Sequence, residues 1–509
     1  MSQTAPLVSD PPRASHAAAA APTATAATRP PPLLALLLML SGTFMVVLDF
    51  FIVNVAIPAI QHDLHAANGA LQLVVIGYGL ANAAALITGG RLGDIHGRRH
   101  LFMIGIGLFT IASAACGLAP NAGFLIAARV VQGIAGALLQ PQVLAMLGML
   151  YSGADRARAF AAYGLALGLG AASGQLIGGL LIDVDLFGLG WRNCFLINVP
   201  IGVMALALAP RVLPALRGSA HGSSATAASR LDVPGMLLIA AALTAAVFPL
   251  AQGREQGWPL WSLASLAAAL PLLVVFWRHQ QHLAARGGAP LVAPALLAQG
   301  PFVLGLVVTL LFYSGNASFY FVLALYLQQG LGLSPLASGL VFTTLAVGFF
   351  ATSMASPWFA RRLGHHAIFT GALLLGAGHA LLYALLGELS AERVAWLLPL
   401  LLIQGCGLGM VMAPLVATVL AGLPAQHAGV ASGVLATTQQ VGNALGVALI
   451  GILYYGVLGG TGTAAVMQRD VTQAFGAGLV YLFALALGVA LLYRRFSRLA
   501  SAAGASQRR

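Results

Sequence analysis

The chain has 509 residues, 59% hydrophobic and 7% charged, and a mean hydropathy of +0.91. A soluble globular protein does not have that balance, and long apolar blocks in place of short alternating segments argue against a membrane β-barrel. The net charge of +12 comes from arginine alone. A chain without lysine has no G-x-x-x-x-G-K-[ST] nucleotide loop, which argues against ATP-driven pumping by this chain.

In chain order, residues 1–31 are rich in Ala, Pro, Ser and Thr and have no signal-peptide core, which predicts a disordered cytoplasmic tail. Fourteen apolar segments follow, at about 33–60, 70–90, 100–119, 122–150, 158–182, 194–213, 233–251, 258–277, 302–327, 335–357, 366–387, 395–420, 428–458 and 472–493. Each approaches the roughly 20 residues a spanning helix needs. The expected organisation is an N-terminal six-helix half (32–213), a cytoplasmic linker (214–231), two inserted helices (232–278), a second linker (279–301), a C-terminal six-helix half (302–494) and a basic cytoplasmic tail (495–509). Asp232 is placed to cap the first inserted helix, with Pro234 in its first turn.

With the N-terminus inside, 19 arginines face the cytoplasm, four (Arg192, Arg254, Arg393 and Arg469) face outward, and Arg129 lies within a span. That asymmetry predicts both termini inside and an even number of spans. It also explains the positive charge without a nucleic-acid partner. Arginine-only usage, 61 glycines and alanine tracts read as bacterial codon bias, hence a multi-pass protein of a bacterial cytoplasmic membrane. Cys116, Cys194 and Cys406 are widely spaced, and the pairs His279/His282 and His365/His366 fall in cytoplasmic loops. No metal site, cofactor or nucleophile–base arrangement is expected.

Four stretches carry chemistry. The turn Gly90–Arg99 (GRLGDIHGRR) combines Gly90, Gly93 and Gly97 with Arg91, Asp94, Arg98 and Arg99. Gly97 suits a tight turn, and Asp94 suits an arginine or a helix N-terminus. A fainter copy, Phe359–Phe369 (FARRLGHHAIF), aligns Gly364 with Gly97 and has lost the acid. Paired halves of this kind are common in secondary transporters. Span 4 carries Arg129 with Gln132 and Gly133 one turn on. A charge there costs on the order of 3 kcal/mol even on translocon scales, so it faces the bundle interior or snorkels. Span 5 repeats glycine at Gly170, Gly174 and Gly178, a stripe for close helix packing, with Gln175 beside it. Finally, LDFFIVNVAIP (48–58) places Asp49 and Asn54 in span 1, and Asp49 alone of the twelve acids lies well inside a span.

These stretches resemble the major facilitator superfamily. The turn matches its G-x-L-x-D-x-x-G-R-R signature, span 4 its R-x-x-Q-G, and span 5 its antiporter motif G-x-x-x-G-P-x-x-G-G, with Gln175 where the family has proline. WRNCFLINVPIG (191–202) and LDFFIVNVAIP are similar to stretches of the fourteen-span drug:proton antiporters, with Asn193 for a tryptophan and Phe51 for a threonine. GVASGVLATTQQVGNALG (429–446) looks like that family's glycine-rich late span. The resemblance implies an all-α major facilitator fold and proton-coupled export of hydrophobic or amphiphilic molecules by alternating access. It implies that Arg129 takes part in proton coupling, that the Gly90–Arg99 turn gates and that span 5 seals.

An intramembrane carboxyl is a functional candidate by default, and Asp49 is either the proton carrier or one end of a structural lock with Arg129. A substrate cavity between the halves, with apolar walls and few polar groups, suits a lipophilic and often cationic compound. Its candidates are Asn54, Gln132, Phe312, Tyr313, Asn316, Phe319, Tyr320, Tyr326, Gln328, Gln404, Gln439 and Asn443, each also open to a packing role, and His379 reads as a lone polar group in the bundle. The partners expected are a small-molecule substrate, protons and the bilayer; nothing in the residues specifies a periplasmic adaptor. The altered span-5 motif keeps open a transporter for one metabolite such as a sugar, amino acid or siderophore, including uptake. A non-transporting sensor is the third reading, and the intact turn argues against it.

Overall fold

The computed structural model describes residues 33–214, 232–254, 256–288, 290–364, 366–421, 428–458 and 464–506. The expected tail 1–31, nearly all of the linker 214–231, His365 and the side chain of Asp94 lie outside them. The regular structure described is helical throughout, and fourteen helices are long and apolar enough to cross a membrane. They are α1 (Leu33–Leu64), α2 (Asn68–Gly93), α3 (Arg98–Gly117), α4 (Ala122–Leu150), α5 (Arg158–Val184), α6 (Gly190–Val212), α7 (Val233–Gln252), α8 (Leu260–Ala285), α9 (Gly300–Gly330), α10 (Pro335–Met354), α11 (His366–Glu388), α12 (Val394–Leu420), α13 (Val430–Val457) and α14 (Asp470–Arg498).

All fourteen expected segments are therefore helices, with shifted ends. Span 10 stops at Met354, and a separate short helix, Ser356–Leu363, carries Arg361 and Arg362. The second linker, placed at 279–301, starts later, because α8 runs on to Ala285. The tail placed at 495–509 begins as helix: the last helix extends from Ala464 to Ser506. In both cases the helix outruns the apolar run, since hydropathy marks where lipid ends and not where backbone hydrogen bonding ends.

Within the first half, α1 packs on α5, and α4 packs on α2 and α3; within the second, α9 packs on α13 and α14, and α12 on α10 and α11. Two crossings join the halves, α2 with α13 and α5 with α10. Small residues make these approaches possible. A Cβ on Gly133 would overlap the Tyr78 carbonyl where α4 meets α2, and one on Gly339 would lie 2.6 Å from the Gln175 carbonyl where α10 meets α5. Further bonds tie the halves at the ends remote from the Gly90–Arg99 turn. Gln328 Nε2 donates to the Val55 carbonyl (3.0 Å), Gln329 to Gln61 (3.1 Å) and Ser334 to Asp183 (2.9 Å). The internal repeat is visible in the backbone: Gly97 (φ 91°) and Gly364 (φ 53°) both take positive φ, so each copy turns on a residue without a Cβ.

The inserted pair lies against both halves, since α7 packs on α2 and α13 while α8 packs mainly on α7. Asp232 clasps the pair. Its carboxylate caps α7 through Gly235 N–H (2.9 Å) and meets His279 Nε2 and Gln280 Nε2 of α8, each at 2.7 Å. Gln280 in turn accepts from Val292 N–H (3.2 Å), which fixes the chain entering α9. Burial alone would lift the Asp232 carboxyl, but the bonds from His279, Gln280 and Gly235 outweigh it and hold the group below the usual carboxylate range. A lowered folded-state value stabilises above the ordinary carboxyl range, and that stability is lost as pH falls through the folded value. Losing a charged cap costs about 1 kcal/mol. Asp232→Ala is therefore expected to speed hydrogen exchange at Gly235 and Val292 about fivefold at pH 7, read by mass spectrometry.

Candidate functional site

The deepest polar cluster is built around Asp49. Its Oδ2 pairs with Arg129 Nη1, and its Oδ1 accepts from Gln132 Nε2 (2.7 Å) and Asn198 Nδ2 (2.9 Å). Gln132 and Asn198 also donate to Ser113 Oγ, at 2.7 and 3.3 Å. Arg129 donates through Nη1 to Gln132 Oε1 (2.7 Å) and through Nε to the Val74 carbonyl (3.1 Å), and its guanidinium lies 4.3 Å from the Tyr78 ring centre. Asp49, Arg129, Gln132, Ser113 and Asn198 are all fully buried. Five helices of the first half (α1, α2, α3, α4 and α6) meet at this point.

The local sequence explains the assembly. Arg129 and Gln132 share a face of α4 at the i, i+3 spacing. Gly133 then admits the α2 backbone, which brings the Val74 carbonyl to Arg129; Gly136 lies below it, where a Cβ would sit 3.1 Å from the Tyr78 hydroxyl. The stripe Gly170, Gly174 and Gly178 receives α1, the helix that carries Asp49: Cβ atoms on Gly174 and Gly178 would lie 2.9 Å from Phe51 and 2.6 Å from Val55. Gln175 leaves α5 unbroken and donates to the Phe51 carbonyl (3.0 Å).

The Gly90–Arg99 turn ties helix ends together. Arg98 donates to the Gly90 carbonyl (3.0 Å) and Gln142 Oε1 (3.1 Å), Gln142 donates to the Gly89 carbonyl (2.7 Å), and Arg99 reaches the Pro210 carbonyl (2.9 Å). Arg91 reaches the Pro290 carbonyl (3.5 Å) in the second linker. Gly93 leaves room for the Gln142 amide. At the opposite end, Trp191 (3.0 Å) and Arg192 (2.5 Å) both donate to Asp63, while Asn193 donates to the Leu186 carbonyl (2.9 Å).

The cavity residues expected from sequence divide into separate places. Gln132 belongs to the Asp49 cluster. Asn54 bonds its own helix at the Phe51 carbonyl (3.2 Å), where its amide satisfies a local acceptor. Gln328 joins the halves, as described above. Tyr326 stacks on Phe475 at 4.3 Å inside the second half. Tyr320 stacks on Phe342 (5.6 Å) and touches Phe51 of the other half (5.0 Å). Tyr313 is buried beside Phe312, and Gln439 is half-buried on α13. Asn443 donates to Gln440 (3.1 Å), which donates to Asn82 (3.0 Å), which donates to the Gly133 carbonyl (3.2 Å), a polar thread from one half to the other. Asn316, Phe312, Phe319 and Gln404 share one cavity, together with His379.

Sequence reasoning missed Ser113, Asn198 and Gln142. Asn198 stands inside the quoted INVP stretch, so its signal was present; Ser113 and Gln142 carry none beyond being polar in an apolar run.

Two six-helix halves that meet at two glycine-mediated crossings, one of them holding a fully buried ion pair, fit a membrane transporter of small molecules. Residues 39–447 match the Major Facilitator Superfamily, and the chain belongs to that family. It is 38% identical over 444 residues to a probable actinorhodin transporter of Streptomyces coelicolor, covering 86% of this chain and 76% of that one. It is 35% identical to the puromycin resistance protein of Streptomyces alboniger (89% and 88% covered) and 33% identical to the tetracenomycin C resistance and export protein of Streptomyces glaucescens (81% and 74%). The fold is shared with a bacterial homologue of the lysosomal transporter Spinster in an inward-facing, occupied state (TM-score 0.64, 15% identity, 93% and 98% covered). It is also shared with a D-xylose–proton symporter (TM-score 0.60, 14% identity, 89% and 97% covered).

Leaving one charge of a buried pair without its partner costs about 3–5 kcal/mol, whereas replacing both with apolar side chains is far cheaper. Arg129→Leu is expected to lower the melting temperature of the detergent-purified protein sharply. Asp49→Leu combined with Arg129→Leu should recover most of that loss.

Proposed function

We propose that the chain exports hydrophobic or amphiphilic small molecules from a bacterial cytoplasm in exchange for protons, by alternating access. The observation that carries this reading is the Asp49 cluster: a carboxylate, fully buried, held by one arginine and two amides. Protonation of Asp49 removes the charge that holds Arg129. The guanidinium then loses its counter-ion in a low-dielectric interior, and the helices α1, α4 and α6 that share the cluster must readjust. Deprotonation toward the other side restores the pair. Arg129 thus sets how readily Asp49 gives up its proton, while Gln132, Asn198 and Ser113 orient the carboxylate.

The rest of the machinery fits this cycle. The stripe of α5 holds α1 on one side, and its neighbour Gly179 meets the Pro335 backbone of the second half on the other. A shift of α1 is therefore felt at a crossing between halves. The Gly90–Arg99 turn braces α2, α4 and α6 at the cytoplasmic end and acts there as the gate. Export is favoured by the named relatives, which include an export protein and a resistance protein.

The test is drug-dependent proton release from everted vesicles, read with a pH-gradient dye, using a panel of lipophilic compounds that contain no basic amine. Addition of substrate should collapse the gradient with the wild type and not with Asp49→Asn. Equal collapse with both would move the proton to another group. No response across the panel would favour a transporter for one specific metabolite.

A further inference from the structure

The C-terminal half contains a cavity of about 40 Å³ among α9, α10, α11, α12 and α14. Three polar side chains reach it: Asn316, His379 and Gln404. Its remaining wall is apolar, with Phe312 and Phe319 on one side. Gln404 is 1% and His379 5% exposed. Both polar atoms of the Gln404 amide, and Nδ1 of His379, find no hydrogen-bond partner in the protein. A buried polar group left unsatisfied costs about 1–3 kcal/mol, so this convergence calls for a hydrogen-bonding partner in the cavity.

The site is also built to keep its amide there. Gly378 precedes His379 on α11, and a Cβ on Gly378 would lie 2.8 Å from Gln404 Cδ and Nε2. The glycine lets the amide lie across α11 beside the imidazole. Phe319 meets the His379 ring edge-on at 5.3 Å and fixes its plane.

The chemistry of the wall selects the ligand. The residues lining the cavity include no carboxylate and no second titratable group. The carboxylate of Asp49 lies in the other half and is fully engaged by Arg129, Gln132 and Asn198. Nothing here would compensate a buried cation. An amide offers both donor and acceptor, and the imidazole adds one more position of either kind. The volume admits the oxygen-bearing edge of a ring, a space on the order of two or three waters. On α9 the lining runs from Leu311 to Phe319, which directly precedes Tyr320, the residue that touches Phe51 of the first half.

Building on the exporter reading above, we propose that this pocket is a substrate subsite for a neutral, ring-borne oxygen, a phenol hydroxyl or a ketone carbonyl, bound by Gln404 and His379. The substrate class is then neutral and oxygenated, not cationic.

The test is equilibrium binding of tritiated 1-naphthol and 1-methylnaphthalene to the full chain in lipid nanodiscs, with binding to protein-free nanodiscs subtracted. The two probes differ only in a hydroxyl against a methyl. The wild type should favour 1-naphthol about tenfold, the effect of one or two well-made hydrogen bonds. Gln404→Met, which keeps the side-chain volume, and His379→Leu should each reduce that preference to about twofold or less. Gly378→Val should do the same by displacing an intact Gln404, and gel filtration selects folded variants. Tetraphenylphosphonium should not displace 1-naphthol. Equal binding of both probes by the wild type would overturn the proposal, as would a hydroxyl preference that survives in every folded variant or displacement by the cation. The assay uses no gradient, so its failure leaves the vesicle result on export standing, and the reverse.

Discussion

Five helices of the N-terminal half meet at one ion pair that water does not reach. Asp49 and Arg129 are both fully buried, in a protein whose other described acids lie at or beyond helix ends. Such a pair is a poor source of stability, because desolvation of both charges offsets most of their attraction. On the proposed reading, what it provides is a position that responds to one proton. Three further side chains, from α3, α4 and α6, complete the carboxylate's surroundings, so a change at Asp49 is transmitted to several helices at once.

The pair can sit so deep only because the helices around it come unusually close. Gly133 lets α2 place the Val74 carbonyl on the arginine, and the α5 stripe lets α1 lie in its groove. The same logic extends across the halves, where Gly179 and Gly339 make the α5–α10 crossing and Gly446 faces the Ser314 backbone within the second half. In lipid there is no hydrophobic drive between helices, so close backbone approach and buried hydrogen bonds carry the association. The abundance of glycine in this composition is a structural requirement at these points and not codon bias alone.

The spans were legible because lipid imposes one strong rule, and all fourteen apolar runs are helices. Their ends were less so, since α8 continues to Ala285 for the sake of the Asp232 clasp, which hydropathy does not register. Asp49, Arg129 and Gln132 could be found because charge inside a span is rare and because Gln132 follows Arg129 on one face. Asn198 had a signal in the INVP stretch, but only the fold brings α6 to Asp49, and Ser113 had none, because a serine in a span is common. Gln328 shows how little polarity alone says about a residue's place. A polar residue near the end of an apolar run looks like a cavity wall, yet it closes the two halves on a backbone carbonyl.

The two halves thus hold different kinds of polarity. The first half concentrates charge, already internally compensated; the second offers neutral amides and an imidazole with bonding capacity to spare. On the proposed reading this is a division of labour. A proton acting on the first half changes helix packing without touching the ligand, and a neutral ligand in the second half is bound without disturbing the charge balance. Coupling must then pass through what joins them, and three of those joins are the α5–α10 crossing, the contact of Phe51 with Tyr320, and the thread from Gly133 through Asn82 and Gln440 to Asn443. Phe51 lies two residues from Asp49 and Gly133 one residue from Gln132, so two of these three links begin beside the Asp49 cluster itself.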